Sequence, residues 1–198
     1  MDGRYERKKQ QTNDALKRAF YELSDKGKNQ LIKATDVCQK AGIARSTFYS
    51  HYECYEDFVK ETADELIEDA KSALTGYGLL PAGNEADRNR IDLDYIYYVG
   101  MDGYLTFLRE NQERFLAFIS PAQNAYFISR YRELIKAAVA FTTHQSDEKK
   151  KLDPLFDQWV ADAVMSTMFL WIRDESIDRT ALMDLASRLR NLFASKSW

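Results

Sequence analysis

The sequence predicts an all-α fold: a three-helix helix-turn-helix head at the N-terminus followed by a larger helical body. Two observations predict the class. Apolar residues recur at helical spacing along nearly the whole chain, with no alternating strand pattern and no internal repeat. A tight break at Ala41-Gly42 separates two short helical segments in the first quarter of the chain. A third observation divides head from body. Residues 1–52 hold eleven Lys/Arg against six Asp/Glu, a net of +5, whereas residues 53–198 hold seventeen against twenty-five, a net of −8.

The elements follow in order. Leu16, Ala19, Phe20 and Leu23 repeat at i, i+3, i+4 and i+7, one apolar stripe on a helix over residues 12–24. Lys26-Gly27-Lys28-Asn29 stops it. A short helix over 34–40 is broken by Ala41-Gly42, and a third helix covers 45–52 with Phe48 and Tyr52 one turn apart. A long fourth helix over 56–74 carries Phe58, Val59, Ala63, Leu66, Ile67, Ala70 and Leu74. Residues 75–90, with three glycines and Pro81, form the clearest loop. Further helices are expected over 91–110, 112–119, 122–143, 152–173 and 178–194. The expected domain division is 1–54 and 55–198.

Composition narrows the class. A hydrophobic content of 45% with 30% charged residues describes an ordinary globular chain of 198 residues. No apolar run approaches the roughly 20 residues of a membrane span, and residues 1–11 hold no apolar signal core. Cys38 and Cys54 lie sixteen positions apart, without a CxxC or a histidine at metal spacing. The expectation is a cytoplasmic protein with free thiols, no metal and no cofactor. His51 and His144 are the sole histidines, and no phosphate loop, HExxH or nucleophile elbow is present. An enzyme is not expected and no catalytic residue is assigned.

The stretch "GIARSTFYSHY", Gly42 to Tyr52, carries the functional signal. Gly42 supplies the positive φ a tight turn demands. Cys38 and Ala41 are small where two helices cross closely. Val37, Ile43, Phe48 and Tyr52 are expected to face inward, against Leu16 and Phe20. Arg45, Ser46, Thr47, Tyr49, Ser50 and His51 are left on the outer faces. These are donors of the kind a recognition helix offers to base edges and phosphate oxygens. On a basic head, they point to double-stranded DNA. The arm Arg4-x-x-Arg7-Lys8-Lys9 has two readings: it lies along the phosphates, or it is a solvated tail.

Thr12-x-x-Ala15-Leu16, Ala19-Phe20, Asp36-Val37, Ala41-Gly42-Ile43 and Arg45-Ser46-Thr47-Phe48-Tyr49-x-His51-Tyr52 together resemble the N-terminal domain of TetR-family transcriptional regulators over residues 8–60. Leu170-Trp171 near the end of a late helix is similar to effector domains of the family's Firmicutes-type branch. The resemblance implies a helix-turn-helix DNA-binding domain followed by a helical ligand-binding and dimerisation domain. It implies a homodimer, acting as a repressor, that binds a palindromic operator and is released by a small ligand. Lys33 and Thr35 join the outer face of the third helix as implied DNA contacts. The sequence departs from the family pattern in three places. Ala44 stands where a capping Ser, Thr or Asn is usual, at a cost of roughly 1 kcal/mol. Lys33 stands where Thr usually opens the second helix, and Tyr55, flanked by Glu53 and Glu56, where Lys is common. A co-regulator that acts through a protein partner, with weak DNA binding of its own, is the second reading.

The body is rich in aromatics, and most are expected in the core. Tyr97, Tyr98 and Met101, on a helix with Asp94 and Asp102, suit an apolar pocket, with Phe118, Phe127 and Trp159 as further candidates. The acidic body favours a neutral or cationic effector. The helix over 152–173 is apolar on two faces, and its second face, Met165, Phe169 and Ile172, is expected in a dimer interface with Leu185 and Leu189. The fourth helix is the expected lever between ligand and DNA.

Overall fold

The computed structural model describes residues 2–24, 31–82, 93–119, 125–143 and 154–194. Among these, all regular structure is helical: α1 (Asp2–Ser24), α2 (Ala34–Ala41), α3 (Arg45–His51), α4 (Tyr55–Gly76), α5 (Leu93–Glu110), α6 (Gln112–Ile119), α7 (Ala125–Thr143), α8 (Pro154–Arg173) and α9 (Arg179–Ala194). The expected stop at 26–29 and the expected helix starts at 91, 122 and 152 lie outside the described residues, as does His144.

Two elements differ from expectation. α1 starts at Asp2, well before the apolar stripe at residue 12. Its first turns are exposed Arg, Glu, Lys and Gln, which favour helix without needing a core. Gln10 donates to Asp14 at 2.8 Å and the Thr12 hydroxyl to the Lys8 carbonyl at 3.0 Å, so side chains one turn apart brace the segment. The basic arm 4–9 is therefore helical and exposed. α4 also runs past residue 74 to Gly76. It closes through Gly78 at φ 73°, with the Gly78 N–H donating to the Thr75 carbonyl at 3.1 Å and the Leu79 N–H to the Leu74 carbonyl at 2.8 Å. This is a Schellman closure sealed by buried Leu79, so the expected loop begins as an ordered cap.

The described contacts gather the chain into two compact units: Met1–Leu66 with Gln112–Ile128, and Ile67–Asn111 with Ser129–Trp198. The boundary expected at residue 54 falls in the α3–α4 turn. The first unit nevertheless takes in the start of α4 and all of α6, because its core needs both. Phe58 meets Phe20 edge-on at 5.8 Å, Phe48 at 5.6 Å and Tyr52 at 5.2 Å, while Phe118 meets Phe20 at 5.5 Å. Each such pair adds about 0.5–1.5 kcal/mol beyond burial. Lys17, buried on α1, forms ion pairs with Glu61 at 3.6 Å and with Glu65, both on α4. The first unit is thus joined by an aromatic cluster on one side and a paired cation on another.

In the second unit the hydroxyls of Tyr104 and Tyr131 share a 2.7 Å hydrogen bond in full burial, and Tyr131 stacks on Phe169 at 5.6 Å. Burial pushes both phenols well above their ordinary range. Arg179 ties α9 to α5 through Asp102 at 2.8 Å and Thr106 at 2.7 Å. Arg132 and Asp162 link α7 to α8 at 2.6 Å. The Arg109 guanidinium lies 4.1 Å from the ring centre of buried Trp171.

Candidate nucleic-acid interface

The turn between α2 and α3 is built on Gly42, at φ 67° and ψ 28°. Its N–H donates to the Gln39 carbonyl at 3.3 Å and the next N–H, of Ile43, to the Cys38 carbonyl at 3.0 Å. A side chain placed at Gly42 would meet no atom within 4 Å, so glycine is required there by the left-handed backbone and not by space. At the start of α2, Lys33 is the N-cap residue and has no acceptor to cap with. Asp36 does half of that work: its carboxylate accepts the Lys33 N–H at 2.9 Å. At the start of α3, Ala44 makes no capping hydrogen bond, as the departure in the sequence implies.

Phe48 and Tyr52 are buried and pin α3 from behind, as expected. Tyr52 also donates to Glu61 at 2.9 Å, and burial followed by that carboxylate raises its phenol far above the usual range. Arg45, Ser46, Tyr49 and Ser50 are exposed, and Thr47 is half-buried. Lys33 is exposed at the head of α2 with Thr35 half-buried behind it. The Ser50 hydroxyl donates to the Thr47 carbonyl at 2.7 Å, so its proton is used within α3.

His51 differs from its expected place on the outer face. It is half-buried, with Nδ1 2.8 Å from Asn13 Oδ1 on α1. The physical reason is register: as the last residue of α3 it reaches the turn of α1 that packs behind the helix. Glu53 and Glu56 are exposed beside this face. Cys54 donates to Asp57 at 3.1 Å, and that carboxylate raises its thiol, the reverse of a reactive cysteine. Cys38 is buried, and burial raises its thiol too.

Lys33, Thr35, Arg45 and Tyr49 are brought together around a cavity of about 550 Å³ that also reaches Lys60 on α4 and Tyr126 on α7. Sequence reasoning passed over Lys60 and Tyr126. Lys60 reads as one more solvated charge on an amphipathic helix. Tyr126 is placed by a long-range contact, its hydroxyl donating to Asp64 at 2.8 Å.

The candidate effector residues are not gathered in one unit. Phe118 and Phe127 are buried in the first, stacked on each other at 4.9 Å. Tyr97, Tyr98, Met101 and Trp159 belong to the second, where Met101 is buried, Tyr97 half-buried, and Tyr98 and Trp159 exposed. The face of α8 proposed for a partner is spent within the protomer. Met165, Phe169 and Ile172 are 5%, 7% and 0% exposed. Among the described side chains of α8, Leu155, Trp159 and Leu170 are large apolar ones that are exposed, with Leu185 exposed on α9. The side chain of Leu189 lies outside the described residues.

No protein-family profile matches the chain, and no curated protein sequence matches it. Solved structures do. A TetR transcriptional regulator from Streptococcus agalactiae 2603V is 22% identical, with 94% of this chain and 97% of that one covered and a TM-score of 0.64. The fatty acid degradation regulator FadR from Bacillus halodurans is 14% identical over 90% of this chain and 93% of that one, at a TM-score of 0.64. FadR from Bacillus subtilis, solved in complex with stearoyl-CoA, is 14% identical over 91% of this chain and 96% of that one, at 0.57. The chain therefore has the fold of the TetR-family transcriptional regulators.

Proposed function

We propose that this chain is a TetR-family transcriptional regulator, a cytoplasmic repressor that binds a palindromic operator as a homodimer and is released by a small molecule. One observation carries the reading. Arg45, Ser46 and Tyr49 stand exposed on a short helix fixed by buried Phe48 and Tyr52 behind a left-handed glycine turn. No packing role accounts for that set, and its donors suit base edges and phosphates. Lys33 extends the face onto α2.

The dimer reading rests on the exposed apolar side chains of α8 and α9, Leu155, Trp159, Leu170 and Leu185. Two-fold pairing of such faces would space two heads for two half-sites. The effector reading rests on α4, which contributes to both compact units and so, like α7, is one of the covalent paths between body and head. The acidic body supports a neutral or cationic compound. A structure of the same fold holds stearoyl-CoA, an anion, so this preference belongs to the chain's own aspartates and glutamates and not to the fold.

A second reading is favoured by the uncapped start of α3 at Ala44 and by exposed Glu53 and Glu56 beside it. These weaken a DNA face and suit a co-regulator that works through a protein partner. Fluorescence anisotropy with duplexes tiled across the protein's own upstream region separates the two. Saturable binding to one tile, with a half-site spacing near one helical turn or a multiple, supports the repressor. Equal, salt-sensitive binding to all tiles removes it in favour of the co-regulator.

A further inference from the structure

The cavity on the first unit has a chemistry that a DNA face alone does not require. At about 550 Å³ it falls in the range of sites that hold a small organic molecule. A duplex phosphate is convex and hydrated, and calls for polar, cationic surface. This lining instead includes Ile32, Ala34 and Val59, with the rings of Tyr49 and Tyr55. The polar part is lopsided. Lys33, Arg45 and Lys60 bring three positive charges to the lining, against the single carboxylate of Glu56. None of the three cations is held in an ion pair among the described residues. Apolar surface beside uncompensated positive charge selects for the complementary molecule and against the alternatives. A cation is repelled, a neutral compound leaves the charges unmet, and inorganic phosphate leaves the apolar lining wet.

The geometry points to this cavity as a binding site for a small amphipathic organic anion: an aromatic ring or short alkyl chain bearing one phosphate, sulfate or carboxylate group. Lys33, Arg45 and Tyr49 line the cavity and also belong to the proposed DNA face. Occupancy and DNA binding therefore exclude one another, a clause that rests on the DNA reading above. Control of this kind acts at the head itself, with no signal carried through the body.

Calorimetric titration of the full chain, without DNA, tests the pocket with three probes: 1-naphthyl phosphate, inorganic phosphate and 1-naphthylmethylammonium. Naphthyl phosphate should saturate at one per chain, inorganic phosphate should bind at least about tenfold more weakly, and the ammonium should not bind. Lys60 is outside the proposed DNA set and exposed, so Lys60→Glu should keep the fold by circular dichroism yet weaken naphthyl phosphate at least about tenfold. Lys60→Met, which removes charge without reversing it, should fall between. Equal affinity for the two phosphates overturns the proposal, as does an unchanged dissociation constant in a folded Lys60→Glu. The exclusion is read separately, by anisotropy on a duplex the wild type binds. Naphthyl phosphate should displace that duplex from the wild type at the concentrations that saturate the titration. Saturation without displacement overturns the exclusion. A wild type that binds no duplex sinks the DNA reading and the exclusion with it, while the titration still decides the pocket.

Discussion

His51 Nδ1 stands 2.8 Å from Asn13 Oδ1, which fastens the last residue of α3 to α1 across 38 positions of sequence. The bond is part-buried, so removing either partner should cost about 0.5–1.5 kcal/mol. Asn13→Ala and His51→Ala should each lower the urea midpoint, and the double variant should cost less than the two together. Additive losses would show that the pair does not interact. DNA binding then distinguishes positioning from contact. If His51 acts by holding α3, both single variants should weaken duplex binding by the same factor. A loss confined to His51→Ala would instead place the imidazole on the phosphates.

Arg45 is the exposed residue best suited to read a base. Arg45→Ala should weaken specific binding by about 1–3 kcal/mol while leaving a scrambled duplex less affected. Tyr49→Phe should weaken both duplexes alike, as loss of a phosphate contact does. Anisotropy on matched and scrambled duplexes reads both, and an Arg45→Ala protein with wild-type specificity would remove α3 as the recognition helix.

Gly42 holds its φ of 67° with open space around it, so the cost of replacing it is conformational and not steric. Gly42→Ala should destabilise the head by roughly 1–2 kcal/mol, and Gly42→Asn by less, because asparagine tolerates the left-handed region. Equal losses for alanine and asparagine in chemical denaturation would point to some other cause.

The helix-turn-helix was legible because its signals are local. Gly42 sits at a C-cap, Phe48 and Tyr52 lie one turn apart, and Ala44 lacks a capping oxygen, all within eleven residues. The early start of α1 was not legible, since residues 4–11 form helix by propensity and pairing with no apolar stripe to announce it. The contact of His51 with Asn13 was not legible because the two lie in different helices. Lys60 and Tyr126 were passed over for the same reason: the cavity they border exists only after α2, α3 and α4 pack. Periodicity marks α8 as apolar on two faces but does not say which side chains the protomer covers. Tertiary packing took Met165, Phe169 and Ile172 for the core.

Tyr77 lies across α5 at two glycines, and the two positions should respond differently to the same change. A Cβ at Gly100 would stand 2.4 Å from the Tyr77 carbonyl oxygen, whereas one at Gly103 would stand 2.4 Å from Tyr77 Cδ1. A ring can swing into solvent, but a backbone carbonyl moves only with its chain. Gly100→Ala should therefore cost more than Gly103→Ala, about 1–3 kcal/mol, in the range of overpacked sites. Adding Tyr77→Ala should recover Gly103→Ala and not Gly100→Ala. Thermal melts of the five proteins decide it, and recovery of both glycine variants would show that the ring alone sets the contact.

The arrangement of α8 makes the last prediction, on assembly. Leu170 and Trp159 are 57% and 60% exposed, so a carboxylate at either should leave the isolated protomer near its wild-type stability. If these side chains meet their two-fold copies, Leu170→Glu and Trp159→Glu bury unpaired charge only in the dimer, costing it several kcal/mol. Both should sediment as folded monomers where the wild type sediments as a dimer. Phe169→Glu provides the contrast. Phe169 is 7% exposed and stacked on Tyr131, so a charge there is buried in the protomer itself and should abolish the cooperative melt. Loss of duplex binding should accompany the monomeric variants, because a single head engages one half-site alone. Wild-type sedimentation of Leu170→Glu and Trp159→Glu together would exclude this face of α8 from the interface, whatever Phe169→Glu does.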